Sequence, residues 1–277
     1  MEPFSRVPLA EVKEYWDRRP CNILHSSKVV GTREYFEEVT ARKYFVEPHI
    51  PQFADFERWH GRRVLEIGCG IGTDTLSFAQ HGADVTAVDL SEKSIEVARQ
   101  RANVYGQQER IDFYHGNSEE LSSFVPLATY DLVYSFGVIH HTPHPERVLN
   151  QIRKYMSAES ELRLMVYSKA SYKLFQIMRE EGVWELSRLD ELIARNSEAQ
   201  TGCPVAYTYT YDEARELLKG FEILEMRKAH IFTWDVDAYK RYEYKKDAAW
   251  AGVTDEQLEN LEKELGWHLL IRARLAS

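Results

Sequence analysis

The chain has 277 residues, 44% hydrophobic and 29% charged, a composition that excludes a disordered or fibrous protein and predicts a globular one with a substantial core. Its formal net charge of −9 disfavours a nucleic-acid partner, because binding phosphates requires a basic surface. We expect no secretion signal in the first residues, and no run approaches the roughly 18 apolar residues of a membrane span. The three cysteines are isolated, so we predict neither disulfides nor a metal site, and we expect a cytoplasmic protein.

Residues 1–60 precede the first predicted strand and are rich in aromatic side chains. This much apolar surface is unusual for a tail, and it predicts a mostly helical cap that packs over the core domain. The stretch 15–22 combines rings, charges and a proline. We expect this stretch to form a lid near a ligand.

From Arg63 onward, the pattern of apolar residues alternates between strand and helix. Strands are predicted over residues 63–67, 84–90, 110–115, 131–139 and 161–167, and helices over 73–80, 91–105 and the stretch that begins at Pro145. Repeated strand-helix units predict a parallel sheet that is covered on both faces.

The alternation becomes less regular after residue 168. Helices are predicted over residues 172–196 and 210–219 and after Thr254, and the last two strands over 221–231 and 267–275. The core domain therefore covers residues 61–277. We expect the segments around 168–210 and 232–266 to be insertions that shape a substrate pocket.

Three glycines, Gly68, Gly70 and Gly72, follow the first strand. Glycines at this point let the backbone turn sharply and bring N–H groups close to a ligand at a helix N-terminus. Asp89 ends the next strand, where a carboxylate can bind a ribose diol. The dinucleotide fingerprint would have its third glycine where Thr73 stands, so an NAD-dependent oxidoreductase is a less favoured alternative.

Residues 64–75 together with Asp89 resemble motifs I and II of the class I S-adenosylmethionine-dependent methyltransferases. Residues 116–121, 130–141 and 143–149 resemble later motifs of this family in the same order. The resemblance covers about residues 63–167. It implies an α/β fold with a Rossmann-like seven-stranded sheet, mostly parallel with the last strand antiparallel, and an enzyme that uses S-adenosylmethionine to methylate a small molecule on O, N or C.

The resemblance also implies a set of cofactor-binding residues in this chain. The glycine loop would hold the methionine part, Asp89 the ribose and Leu90 the adenine. Asn117 stands where the family usually has aspartate, and its amide can still accept a hydrogen bond from the base. The implied set is Glu66, Gly68, Cys69, Gly70, Gly72, Asp89, Leu90, Asn117, Ser118 and Ser135, in which Glu66 either organises the loop or caps local N–H groups. Tyr15 and Arg19 of the lid are further candidates, for contact with the cofactor carboxylate, and the alternative is a solvated helix face with a packed ring.

His140 and His141 follow the fourth strand, and either is a candidate proton acceptor, because a neutral imidazole titrates near pH 6.5. Cys21 and Cys203 keep open a thiol- or metalloid-methylating alternative, since soft acceptors favour thiolates. A non-catalytic cofactor-binding subunit is a further alternative. The sequence leaves the acceptor and the oligomeric state open, and it predicts neither a nucleic-acid nor a membrane partner.

Overall fold

The computed structural model describes residues 4–200 and 202–276, and the side chains of all of these except residues 197–200. Residues 1–3 of the predicted cap, Thr201 of the predicted insertion, and Ser277 lie outside the described residues. No helix in the described part of the chain is long and apolar enough to cross a membrane.

In the described part of the chain, eight strands form one sheet around which the protein is built. They are β1 (Arg63–Ile67), β2 (Asp84–Asp89), β3 (Ile111–His115), β4 (Leu132–Phe136), β5 (Glu161–Ser168), β6 (Thr208–Tyr209), β7 (Phe221–Ala229) and β8 (His268–Leu275). The order is β3-β2-β1-β4-β5-β8-β7, with the short β6 paired to β5. The first five strands run parallel, and β8 is antiparallel to both β5 and β7. The predicted α/β fold with an antiparallel last strand is confirmed, and β6 is the strand that the prediction lacked.

The helices are α1 (Leu9–Arg18), α2 (Arg33–Val46), α3 (His49–Ala54), α4 (Thr73–Gln80), α5 (Glu92–Val104), α6 (Pro145–Ile152), α7 (Tyr172–Glu181), α8 (Leu189–Gln200), α9 (Tyr211–Leu217), α10 (Val236–Lys240) and α11 (Asp255–Leu265). The bounds predicted for β1 and α4 match the structure. The helix predicted over residues 172–196 is instead two helices, because Gly182 ends α7 in the left-handed conformation at φ 65°.

Both faces of the sheet are buried, as the near-continuous apolar strands require. On β1, Val64 belongs to the core cluster on one face, while Leu65 and Ile67 belong to the cluster on the other. The cap joins this core through α2, whose Tyr35 and Phe36 pack with Ile71 of the glycine loop. The loop that is predicted to hold a ligand is therefore backed by the cap.

The strand predicted over residues 131–139 ends at Phe136. Gly137 follows with φ 78°, and residues Ile139–His141 form a 3₁₀ turn. A left-handed residue does not continue an extended strand, so the strand prediction was wrong beyond Phe136. The turn places the two adjacent histidines in different surroundings, described below.

Candidate active site

A cavity of about 270 Å³ lies at the carboxyl ends of the parallel strands, beneath the cap. This edge of a parallel sheet is where such folds bind ligands. Eight of the predicted site residues line the cavity, namely Gly68, Cys69, Gly70, Asp89, Leu90, Asn117, Ser118 and His141. The cap contributes Leu9, Val12, Trp16, Cys21, Asn22, Lys43 and Glu47.

The glycine loop turns between β1 and α4, and its glycines serve different purposes. Gly68 has φ 78°, and a Cβ there would lie 2.1 Å from Cγ2 of Val138. Gly70 has φ 52° but would place a Cβ in open space, with no atom within 4 Å. Gly72 lies against Ala98 of α5 and does not line the cavity. Gly68 therefore permits close packing, and Gly70 leaves its surroundings open on the cavity side.

Asp89 joins the end of β2 to this loop. Its Oδ2 accepts a hydrogen bond from the N–H of Gly70 at 2.8 Å, and its Oδ1 accepts one from the N–H of Ser91, also at 2.8 Å. Burial outweighs these hydrogen bonds and raises the pKa of Asp89 to about 6. Each carboxylate oxygen has a second lone pair, so Asp89 can still accept hydrogen bonds from a ligand in the cavity.

Asn117 and Leu90 form the neighbouring wall. The Oδ1 of Asn117 accepts a hydrogen bond from the N–H of Glu119 at 3.0 Å, which fixes the turn that carries Ser118. Leu90 packs with Val12 and Trp16 of α1. A planar group that entered here would lie between the sheet edge and the first cap helix.

Glu66 and Ser135 are predicted site residues that the structure places behind the cavity. The Oε2 of Glu66 accepts a hydrogen bond from the hydroxyl of Thr75 at 2.5 Å, and Ser135 donates one to the carbonyl of Ile67 at 3.2 Å. Burial, and then the neighbouring Asp74, raise the pKa of Glu66 to about 8. Glu66 thus joins β1 to α4, Ser135 joins β4 to β1, and neither residue lines the cavity.

Tyr15 and Arg19 do not line the cavity either. Tyr15 packs against the apolar cluster of α7 and α8 and edge-on to Trp16. Lys43 of α2 is the one lysine or arginine among the described lining residues. Its Nζ donates a hydrogen bond to Oδ1 of Asp74 at 2.7 Å. The positive charge that the cap presents to the cavity therefore comes from the second cap helix.

The two histidines of the 3₁₀ turn differ in position. His141 lines the cavity, and its Nδ1 lies 2.6 Å from the carbonyl oxygen of Val205. Because a carbonyl only accepts hydrogen bonds, Nδ1 is the protonated nitrogen and Nε2 carries the lone pair. His140 is fully buried outside the cavity, its ring centroid 3.9 Å from that of Tyr167. Burial, and then His141, hold the pKa of His140 well below its usual value.

Part of the cavity lining was not predicted from the sequence. It includes Glu47, Phe136, Met165, Tyr167 and His268. His268 is the first residue of β8, and because β8 runs antiparallel, its first residue lies at the carboxyl edge of the parallel strands. Burial, and then His230 and His49, hold the pKa of His268 well below its usual value. The predicted antiparallel direction of the last strand was the sequence signal from which His268 could have been placed at this edge of the sheet.

Cys21 lines the cavity, whereas Cys203 does not. The Sγ of Cys203 lies 3.0 Å from the carbonyl oxygen of Val205 and 3.4 Å from Nδ1 of His141. The two cysteines are therefore not brought together as a lining pair, and this geometry disfavours the alternative that uses both as thiolate ligands.

Comparisons with known proteins agree with the fold and the motifs. Residues 65–162 match the sequence model of a methyltransferase domain. The ubiquinone biosynthesis O-methyltransferase of Aromatoleum aromaticum is 38% identical over 85 residues, which are 31% of this chain and 35% of that protein. The enzyme of the same name from Dechloromonas aromatica is 31% identical over 128 residues, 46% of this chain and 53% of that protein. The matched part thus spans about a third to a half of the length of these relatives.

Two solved structures share the fold over nearly the whole chain. Magnesium protoporphyrin IX methyltransferase from Synechocystis PCC 6803, solved with bound SAH, has a TM-score of 0.60 at 16% identity and covers 97% of this chain and 100% of its own. The [4+2]-cyclase SpnF has a TM-score of 0.56 at 15% identity and covers 96% of each chain. The domain match over residues 65–162 and the shared fold agree with the resemblance of this chain to the class I S-adenosylmethionine-dependent methyltransferases.

Proposed function

We propose that this protein transfers a methyl group from S-adenosylmethionine to a hydroxyl group on a planar small molecule. The observation that carries the proposal is the position of Asp89, whose carboxylate lies in the cavity wall while it holds the N–H of Gly70. The cavity is open where a Cβ on Gly70 would stand, so the loop can approach a ligand closely. These features fit a nucleoside with a short charged tail.

We assign the cofactor contacts as follows. Asp89 accepts hydrogen bonds from the ribose hydroxyls, and Asn117, Ser118 and Leu90 surround the base. The backbone from Gly68 to Gly70 holds the methionine part of the cofactor. The ammonium group of Lys43 balances the charge of the cofactor carboxylate. Tyr15 and Arg19 have no place in this assignment, because neither lines the cavity.

The bound cofactor supplies a methyl group that is already activated on a sulfonium, so the task of the protein is to align the acceptor and exclude water. Phe136, Tyr167 and Trp16 contribute aromatic rings to the cavity lining, which suits a planar acceptor. The names of the relatives, ubiquinone biosynthesis O-methyltransferases, support an oxygen acceptor. His141 takes the hydroxyl proton on Nε2, and its Nδ1–H stays fixed by the Val205 carbonyl.

Radiolabelled methyl transfer to a panel of phenols, with thiols and amines of similar shape, tests this proposal. We expect label in the phenols, and we expect His141→Asn to lower kcat by about 10²–10⁴-fold because the proton acceptor is lost. The control is His60→Asn, at an exposed position outside the cavity. Transfer to thiols alone would contradict the oxygen acceptor, and an unchanged kcat in the His141 variant would contradict its role.

We also propose the cellular compartment in which the protein acts. We place the protein in the cytoplasm, and the support is that Cys21, Cys69 and Cys203 all lie in the described residues and form no disulfide bond.

A further inference from the structure

A cluster of histidines and one carboxylate lies where the cap meets the last two strands. Glu47 follows α2, His230 follows β7, and His268 begins β8. One ligand atom from each of these three side chains lies within 4.8 Å of the others. We infer that Glu47, His230 and His268 form a binding site for a divalent transition-metal ion, although the spacing of these residues in the sequence predicted none.

The chemistry and spacing of the three donors suit such an ion. Two imidazoles and one carboxylate form a mixed nitrogen and oxygen set, which suits Zn²⁺, Fe²⁺, Co²⁺ or Ni²⁺ better than Mg²⁺ or Ca²⁺. With metal-ligand bonds of about 2.1 Å, the donors of a tetrahedral site lie roughly 3.4 Å apart. The Nε2 of His268 and Oε1 of Glu47 are 3.7 Å apart, close to that value and too long for a hydrogen bond between them. One ring nitrogen of His230 lies within 4.8 Å of a donor atom of each of the other two residues.

His49 supplies the outer contact that metal-binding histidines usually have. Its Nε2 lies 2.9 Å from Nδ1 of His268, so a hydrogen bond joins the two rings. When Nδ1 of His268 donates in this bond, the lone pair of His268 is on Nε2, the atom that faces Glu47. A hydrogen bond to the second ring nitrogen fixes both the tautomer and the orientation of a ligating imidazole.

The backbone at His230 gives independent support. His230 has φ 70°, a left-handed conformation that costs a non-glycine residue energy and that persists at functional sites. The hydrogen bond from the N–H of Trp267 to the carbonyl of His230, at 2.8 Å, holds this conformation. The ring of His230 thereby packs against that of His268, with centroids 4.7 Å apart.

The cluster lies where a bound ion can reach a molecule in a cavity. Glu47 and His268 line the cavity described above, while His230 and His49 line a second cavity on the side of β7. Three protein donors leave at least one position of a four-coordinate ion open. That position can take an oxygen atom of a molecule in the first cavity, whichever reaction this molecule undergoes.

Metal binding by the full chain tests the inference directly. The purified protein is treated with a chelator and titrated with Zn²⁺ against a chromophoric chelator, and with Co²⁺ by absorption spectroscopy. We expect one equivalent of either ion, and ligand-field bands of Co²⁺ bound to nitrogen and oxygen. His230→Ala and Glu47→Gln should each weaken binding more than about 100-fold, and His49→Ala about 10- to 100-fold. His60→Ala, at an exposed position, should leave it unchanged.

Circular dichroism and S-adenosylhomocysteine binding are measured on every variant, so that loss of folding, loss of the metal and failure of the cofactor proposal are separated. Glu47→Gln keeps the shape of the side chain, so it remains informative if a histidine variant does not fold. Failure of the chelator-treated parent to bind any of Zn²⁺, Co²⁺, Ni²⁺ and Fe²⁺ would overturn the inference. Equal binding by the parent and the Glu47→Gln and His230→Ala variants would overturn it as well.

Discussion

Replacing Asp89 with alanine is expected to weaken the binding of S-adenosylhomocysteine about 10²–10⁴-fold while the chain remains folded. In the proposed site, the variant loses two hydrogen bonds that the ribose hydroxyls donate to the carboxylate, each contributing about 1.5–3 kcal/mol. It also releases the N–H of Gly70, which Asp89 holds at 2.8 Å. Titration calorimetry measures the change, and Asp112→Ala at an exposed position of β3 serves as the control. Affinity equal to that of the parent would show that the ribose binds elsewhere.

The same site predicts a pH dependence, because burial raises the pKa of Asp89 to about 6. In the proposed site the cofactor binds to the carboxylate, so affinity should fall as the pH drops below about 6, and Asp89→Asn should remove this dependence. The stability of the unliganded protein changes in the opposite sense. Since the pKa is raised on folding, the contribution of Asp89 to stability is present below its ordinary value of 3.8 and is lost as the pH rises through about 6.

Alanine substitutions at Gly68 and Gly70 are expected to separate folding from cofactor binding. At Gly68, a Cβ would lie 2.1 Å from Cγ2 of Val138, so Gly68→Ala should destabilise the protein by several kcal/mol. At Gly70 nothing lies within 4 Å, so Gly70→Ala should cost only about 1 kcal/mol of backbone strain. It should nevertheless weaken S-adenosylhomocysteine binding, since its methyl group stands where the ligand approaches the loop.

Urea unfolding and calorimetric titration measure the two effects. Gly106→Ala is the matched control, because Gly106 also has a positive φ of 66° and open surroundings but lies outside the cavity. It should cost about the same strain as Gly70→Ala and leave cofactor binding intact. If Gly70→Ala bound the cofactor like the parent, the loop would not contact it.

The parts of the site that lie close together in sequence could be predicted, and the parts assembled by packing could not. The bounds of β1 and α4, and the position of Asp89 at the end of β2, follow from local patterns. Lys43 and His268 reach the cavity from segments far from the glycine loop in sequence. Only the arrangement of the cap and of the antiparallel last strand brings them there.

The first cap helix shows which residues of a helix reach the cavity. Leu9, Val12 and Trp16 line the cavity at spacings of three and four residues, the period of one helical face. Tyr15 lies beside this face, and Arg19 lies beyond the end of α1 at Arg18; neither lines the cavity. The sequence prediction chose Tyr15 and Arg19 for their polar groups, whereas the spacing of the apolar residues marks the helix face that lines the cavity.

Calorimetric titration of the unmodified protein with S-adenosylhomocysteine, and separately with NAD, tests the central claim most directly. The claim is that the glycine loop and Asp89 bind a sulfonium cofactor and not a dinucleotide. We expect one equivalent of S-adenosylhomocysteine to bind and NAD to release or absorb no heat of binding. Binding of NAD without binding of S-adenosylhomocysteine would contradict the account.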